Sequence, residues 1–86
     1  MGRGRRKSPR KLGGKLREIR SRLGHGQVEM AARLKRVDGT IYPGLISRYE
    51  HGKAEPSLLV LLEYARLGGV SMEALVDDRM RLRDLK

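Results

Sequence analysis

An all-α fold is predicted by three features of this 86-residue sequence. Apolar side chains recur at spacings of three and four in several separate windows, no segment alternates with period two, and glycines or capping residues close the windows at short intervals.

Residues 1 to 11 come first and carry six Lys/Arg, with Gly2, Gly4 and Pro9 and only Met1 as an apolar side chain. Such a stretch cannot bury enough surface to offset chain entropy, so it reads as a disordered basic arm. From Leu12 the pattern changes: Leu12, Leu16, Ile19 and Leu23 form one helical stripe, with Lys15, Arg17, Arg20 and Arg22 around it and Gly24 as the stop. The segment Gln27 to Arg36 carries Val28, Met30, Ala31 and Leu34, a second short helix with a small-residue side at Ala31 and Ala32. Asp38-Gly39 marks a turn, and Thr40 is the expected N-cap of a third helix that begins between Ile41 and Pro43 and stops at Gly52. Pro43 is tolerated there because the first amides of a helix have no internal partner.

Glu55-Pro56-Ser57 opens a fourth helix whose Leu58, Leu61, Leu62 and Ala65 make an apolar face and whose end is signalled by Gly68-Gly69. Its leucines are expected in the core. Ser71 caps a fifth, with Glu73 in the first turn, where the helix dipole favours a negative charge, and with Met72, Leu75 and Val76 inward. Residues 77 to 86 read as a charged tail in which Met80, Leu82 and Leu85 are too sparse for a helix. The organisation is thus an arm over 1 to 11, one domain over 12 to 76 and a tail over 77 to 86. There are no internal repeats.

Length and composition bound the function. One modest domain leaves no room for a catalytic unit beside a binding unit. Phe and Trp are absent, so the core must come from aliphatic residues and the three tyrosines. Without cysteine there is no disulfide and no thiolate metal site, which suits a reducing cytoplasm. No apolar run reaches the length of a membrane span, and the arginine-rich start lacks the apolar segment of a signal peptide. The expectation is a soluble cytoplasmic protein that is not an enzyme, because no groups suited to nucleophilic or acid-base work converge. Neither His25 nor His51 has partners at metal-ligand spacing, so no metal and no cofactor is expected.

The net charge of +10 is one-sided: residues 1 to 36 hold 13 Lys/Arg against Glu18 and Glu29, and residues 37 to 86 are close to balanced. A positive field of this kind favours a polyanion, nucleic acid first and an anionic membrane second. The third helix adds a face to the field. Gly44, Ser47, Arg48 and His51 fall at i, i+3, i+4 and i+7, while Leu45, Ile46 and Tyr49 point the other way.

Five short helices with this content resemble the DNA-binding domain of the lambda repressor and Cro-like family, the XRE-type helix-turn-helix proteins. The resemblance spans residues 12 to 76. It rests on Leu16-Arg17-Glu18-Ile19-Arg20, Gln27 with Met30-Ala31 behind it, Ile46-Ser47-Arg48-Tyr49-Glu50-His51-Gly52-Lys53, Pro56-Ser57-Leu58, Leu61-Leu62 with Ala65, and Gly69-Val70-Ser71 before Leu75. It implies a compact five-helix bundle, a recognition helix in the major groove and, commonly, two subunits on a two-fold symmetric operator. By the same resemblance Gln27 hydrogen-bonds a phosphate, and Arg20 and Glu50 form an ion pair tying the first helix to the end of the recognition helix. Gln27 also has a local reading, as a helix-start residue reaching back to the backbone.

Two departures matter. Gln27 to Ile46 spans 19 residues, about five more than is usual in the family, with the surplus in Lys35 to Tyr42, so the tight turn has become a loop that can bring Lys35 and Arg36 to the backbone or lengthen the recognition helix at its front. Pro43 and Gly44 stand where relatives place base-reading side chains, which moves specificity to Arg48 and Ser47 or to Thr40 and Tyr42. Arg48 can grip guanine O6 and N7 with two parallel bonds or contact a phosphate. Ser47 suits close entry to the groove, and His51 and Lys53 suit phosphate. In the arm, Ser8-Pro9-Arg10-Lys11 resembles the minor-groove motif of histone tails and Arg3-Gly4-Arg5 part of an AT-hook core, with Arg6 replacing the proline that should follow. Arg3, Arg5, Arg6, Arg10 and Lys11 then either enter the minor groove or attract phosphate nonspecifically.

The predicted function is a sequence-specific, double-stranded DNA-binding transcriptional regulator, a repressor occupying an operator, with a homodimer on a palindromic site. Two alternatives stand beside it: the DNA-binding antitoxin of a toxin pair, with a toxin as protein partner, and a sequence-indifferent RNA or anionic-surface binder acting through the arm.

Overall fold

The computed structural model describes residues 9–82, which form five helices in the order α1 (Leu12–Arg22), α2 (Gln27–Leu34), α3 (Pro43–Glu50), α4 (Leu58–Gly68) and α5 (Met72–Val76). No strand occurs among the described residues. The expectations for Arg3, Arg5 and Arg6 lie outside them.

One core joins the five helices: Leu12, Leu16 and Ile19 of α1 meet Met30 and Leu34 of α2, Ile46 and Tyr49 of α3, Val60 and Tyr64 of α4 and Leu75 of α5. Three residues of the stripe predicted for the first helix are therefore the inner face of α1, with one addition, while Leu23 is the C-cap beyond it and is only partly buried. Lys15, expected on its flank, is buried, and its Nζ donates to Ala74 O at 2.5 Å and Asp77 O at 2.9 Å. An aliphatic stem lying along the core with its ammonium on carbonyls at the end of α5 satisfies both halves of the side chain.

Several other expectations need correction. The second helix ends at Leu34, not Arg36, and Val28 and Ala32 face outward. Thr40 is not the N-cap of the third helix: Asp38 Oδ1 accepts both its N–H at 3.0 Å and its hydroxyl at 2.7 Å, which closes a local turn, and Tyr42 takes the cap position with Pro43 as the first helical residue. In α4 the inner face is Val60, Leu61, Tyr64 and Ala65, while Leu58 and Leu59 are 71% and 62% exposed. A run of leucines fits more than one helical phase, and the fully buried ring of Tyr64 fixes which one is used. Val76 is exposed, whereas Ala74 and Leu75 fill the inner side of α5.

Local chemistry explains the boundaries. Ser57 and Ser71 accept from the amides of Val60 and Ala74 as side-chain caps, and Glu29 reaches back to the N–H of Gly26 at 2.9 Å. The α3 exit runs through Gly52 at φ +73, a left-handed conformation that favours glycine, and Lys53 N then bonds Arg48 O at 2.8 Å. Residues 77 to 82 are not a free tail. Leu82 is buried in the core, Met80 packs against it, and Asp78 accepts from the amides of Arg10 and Lys11.

Candidate nucleic-acid interface

The connection from α2 to α3, residues 35 to 42, is held as a shaped loop. Val37 N and Asp38 N both bond Leu34 O, Ile41 N bonds Asp38 O at 3.2 Å, and Ile41 itself is a core residue. A buried isoleucine one residue before the cap leaves α3 little freedom at its entry. Lys35, Arg36 and Thr40 stand exposed on this loop, although Thr40 spends its hydroxyl on Asp38. That bond and the Thr40 amide hold the Asp38 carboxyl below its usual range.

On α3 itself Ile46 and Tyr49 are buried, Leu45 is partly buried, and Gly44, Arg48 and His51 are exposed with Ser47 intermediate. The amphipathic division read from the spacing is thus present. Its front end differs from a helix with base-reading side chains in the first turn. Tyr42, half exposed, lays its ring over that turn so closely that a Cβ added to Gly44 would sit 3.0 Å from Tyr42 Cε2. The phenol occupies the space that a side chain at position 44 would claim.

At the far end the groups are paired more tightly. His51 Nδ1 lies 2.8 Å from Ser47 O, and since a carbonyl can only accept, Nδ1 carries the proton and Nε2 is left as the outer nitrogen. Arg48 approaches Lys53 O at 3.4 Å, a weak contact that leaves most of its guanidinium donors outward.

Behind this end sits the ion pair. Arg20 Nε and Nη2 donate to Glu50 Oε2 and Oε1 at 2.6 and 3.0 Å, and Arg20 Nη1 donates to His25 O at 3.0 Å. The Glu50 side chain is only 3% exposed and that of Arg20 15%, so the fork-to-fork contact joins α1, the α1–α2 turn and the end of α3 in a largely dry setting. The hydrogen bond to Glu50 raises the Arg20 pKa further, against the opposing effect of burial. Gln27, the first residue of α2, brings Nε2 to 3.5 Å from Glu50 Oε1, at the outer limit of a hydrogen bond. Below the pair the Tyr64 hydroxyl is buried with no hydrogen-bond partner among the described residues, and burial pushes its pKa well up.

Of the residues singled out in the sequence, Gly44, Ser47, Arg48 and His51 share one surface, and Gln27 reaches toward its rear through Glu50. Arg10 joins the edge of that surface, since it lines one cleft with His51, Gly52 and Lys53. Lys11 lies instead beside Met80 and Leu82, away from α3. Sequence reasoning missed Gly13. A Cβ there would meet Glu50 O at 2.5 Å and Tyr49 O at 3.0 Å, so the backbone of α1 touches the end of α3 directly. It also missed Asp78, whose partners lie 67 and 68 residues away.

Among the described residues no group of His, Asp and Glu is placed to hold a metal ion, and no helix is long and apolar enough to cross a membrane. No curated protein matches the sequence. Among solved structures, the P22 c2 repressor protein in complex with synthetic operator 9T aligns with a TM-score of 0.60 over 78% of this chain and 94% of that one, at 24% identity, a likeness of fold. The helix-turn-helix family model HTH_3 matches residues 16–75, from the second turn of α1 to Leu75 of α5. By that match the chain belongs to the lambda-repressor-like, XRE-type family of helix-turn-helix DNA-binding proteins.

Proposed function

We propose that this protein is a sequence-specific binder of double-stranded DNA that represses transcription by occupying an operator. The observation that carries the reading is the outer face of α3, where Gly44, Ser47, Arg48 and His51 stand on a helix whose other side is fixed in the core by Ile46 and Tyr49. The solved relative with this fold holds an operator, and the basic half of the sequence supplies the field that draws a duplex to the face.

In this reading Gln27 uses one N–H toward Glu50 and offers the second to a phosphate, as the start of α2 crosses the backbone. His51, Lys53 and Arg10 line the neighbouring phosphates, and Arg48 and Tyr42 read bases at the two ends of the face. Thr40 and Arg36 flank the entry from the loop. A homodimer on a palindromic site fits the exposed pair Leu58 and Leu59, which a second copy would cover.

Selection of duplexes from a random pool, followed by titration of the winner into labelled protein, tests the proposal. Amide shifts should move from Gly44 to His51 and at Gln27, and Arg48→Ala should relax discrimination at one base pair by about 1 to 3 kcal/mol. Unmoved α3 amides, or equal affinity for every duplex, would remove the basis of the assignment.

A further inference from the structure

We infer that Asp78, in the segment after α5, is a positioning residue for DNA binding that holds Arg10 at the edge of the α3 surface. The inference rests on the DNA-binding reading above. Its structural basis is separate.

Helix α1 begins without a side-chain cap of its own: Lys11 stands at the N-cap position and supplies none. Asp78 takes the place of a local cap from the other end of the fold. Its Oδ2 accepts from Arg10 N at 2.8 Å and its Oδ1 from Lys11 N at 3.0 Å, so a single carboxylate fixes two consecutive peptide groups. Asp78 is itself held on three sides. Lys15 grips the carbonyls of Ala74 and Asp77 just before it, Asp77 accepts from the Arg79 amide and guanidinium just after it, and Leu82 anchors the segment in the core.

The consequence falls on the side chains those peptide groups carry. Arg10 lines the cleft that His51, Lys53 and Glu55 also line, while Lys11 lines a different one with Met80 and Leu82. A cation at the root of the basic N-terminus thereby shares an edge with the exit of α3, although some 40 residues separate them in the chain. Arg10 is exposed and lies outside α1, tied to the helix only by the long turn bond from Leu12 N to Pro9 O at 3.5 Å, so the two bonds to Asp78 are the shorter restraints on it.

The sign of one substitution separates positioning from simple charge. Asp78→Ala makes the chain more positive by one unit, which by charge alone tightens binding to a polyanion. If Asp78 positions Arg10, the substitution instead weakens binding about threefold and flattens the plot of log K against log salt by about 0.9, the equivalent of one phosphate contact. Arg10→Ala should give the same change of slope, and the double variant no more than either single one.

Binding of the full chain to its selected duplex, measured across a salt series below the melting midpoint of each variant, reads these numbers. Asp78→Asn, which keeps one acceptor, guards against loss of fold and should fall between wild type and Asp78→Ala. Tighter or unchanged binding by folded Asp78→Ala, or additive slopes in the double variant, overturns the inference. A wild-type chain that binds no duplex overturns the DNA-binding reading itself, and this inference with it.

Discussion

Gly13 and Gly14 are adjacent residues of α1 for which the structure predicts opposite responses to the same change. Replacing glycine by alanine inside a helix ordinarily stabilises by about 0.5 to 1 kcal/mol, through the lost freedom of the unfolded chain. At Gly14 nothing lies within 4 Å of the added carbon, so that gain should appear in full. At Gly13 the carbon would stand 2.5 Å from Glu50 O and 3.0 Å from Tyr49 O, both backbone atoms that cannot swing aside. Restoring an ordinary contact of 3.4 Å requires α1 to back away from α3 by about 0.9 Å, and overpacking of this kind costs about 1 to 3 kcal/mol. Net of the helical gain, Gly13→Ala should lose about 1 to 2 kcal/mol. For a domain of this size each kcal/mol moves the melting midpoint by about 4 to 8 °C. Thermal denaturation followed by circular dichroism should then show Gly14→Ala melting a few degrees above wild type and Gly13→Ala about 5 to 15 °C below it. Two shifts of the same sign would refute the claim that α1 and α3 meet backbone to backbone.

Three further outcomes follow from the same contacts. Glu50→Gln leaves Arg20 without its counter-charge in a mostly buried place and should cost about 2 to 4 kcal/mol; a double-mutant cycle with Arg20→Met that returns no coupling would contradict a joint role for the pair. Tyr64→Phe removes a buried hydroxyl that has no partner, so it should be neutral or stabilise by about 1 kcal/mol in chemical denaturation, whereas a clear loss would mean that the hydroxyl is bonded. The amides of Lys11 and Arg10 hold the Asp78 carboxyl below its usual 3.8, so its contribution is complete above that value and is lost as pH falls through the depressed one; Lys11 and Arg10 amide shifts should therefore be flat from pH 5 to 8 and titrate only in acid.

What was legible in the sequence was local. The stripe of Leu12, Leu16 and Ile19, the opening of α4 after Glu55-Pro56-Ser57, the cap Ser71, Pro43 at the head of α3 and the glycine at its exit each follow from neighbours within a turn or two, and all took the places that local pattern assigned. Where two local rules competed, pattern reading failed. Thr40 satisfies the rule for a cap, but Asp38 two residues earlier satisfies the rule for a turn and captured it. In Leu58 to Leu62 every phase looks apolar, and only the need to bury Tyr64 selects one. Lys15 was open to a closer reading, since it sits three residues after Leu12 and four before Ile19 on the stripe itself. Its carbonyl partners on α5, like the amides bonded by Asp78, lie across the fold, and no local spacing encodes them.

The candidate site was legible in its composition and not in its mechanics. Spacing placed Ser47, Arg48 and His51 on one face, yet what makes that face a fixed surface is the joint behind it. Gly13 lets α1 press on the end of α3, Arg20 and Glu50 lock that contact to the turn before α2, and Ile41 pins the entry to α3 from the other end. A helix of eight residues is too short to hold its shape alone. Fastened at both ends, it keeps the relation between the Tyr42 ring at its front and Arg48 at its rear without help from DNA. In the proposed reading the ordering cost is therefore met on folding, and the contacts at the face are free to set affinity and preference. Short polar content on α3 then suffices, because the two ends of the helix act from set positions.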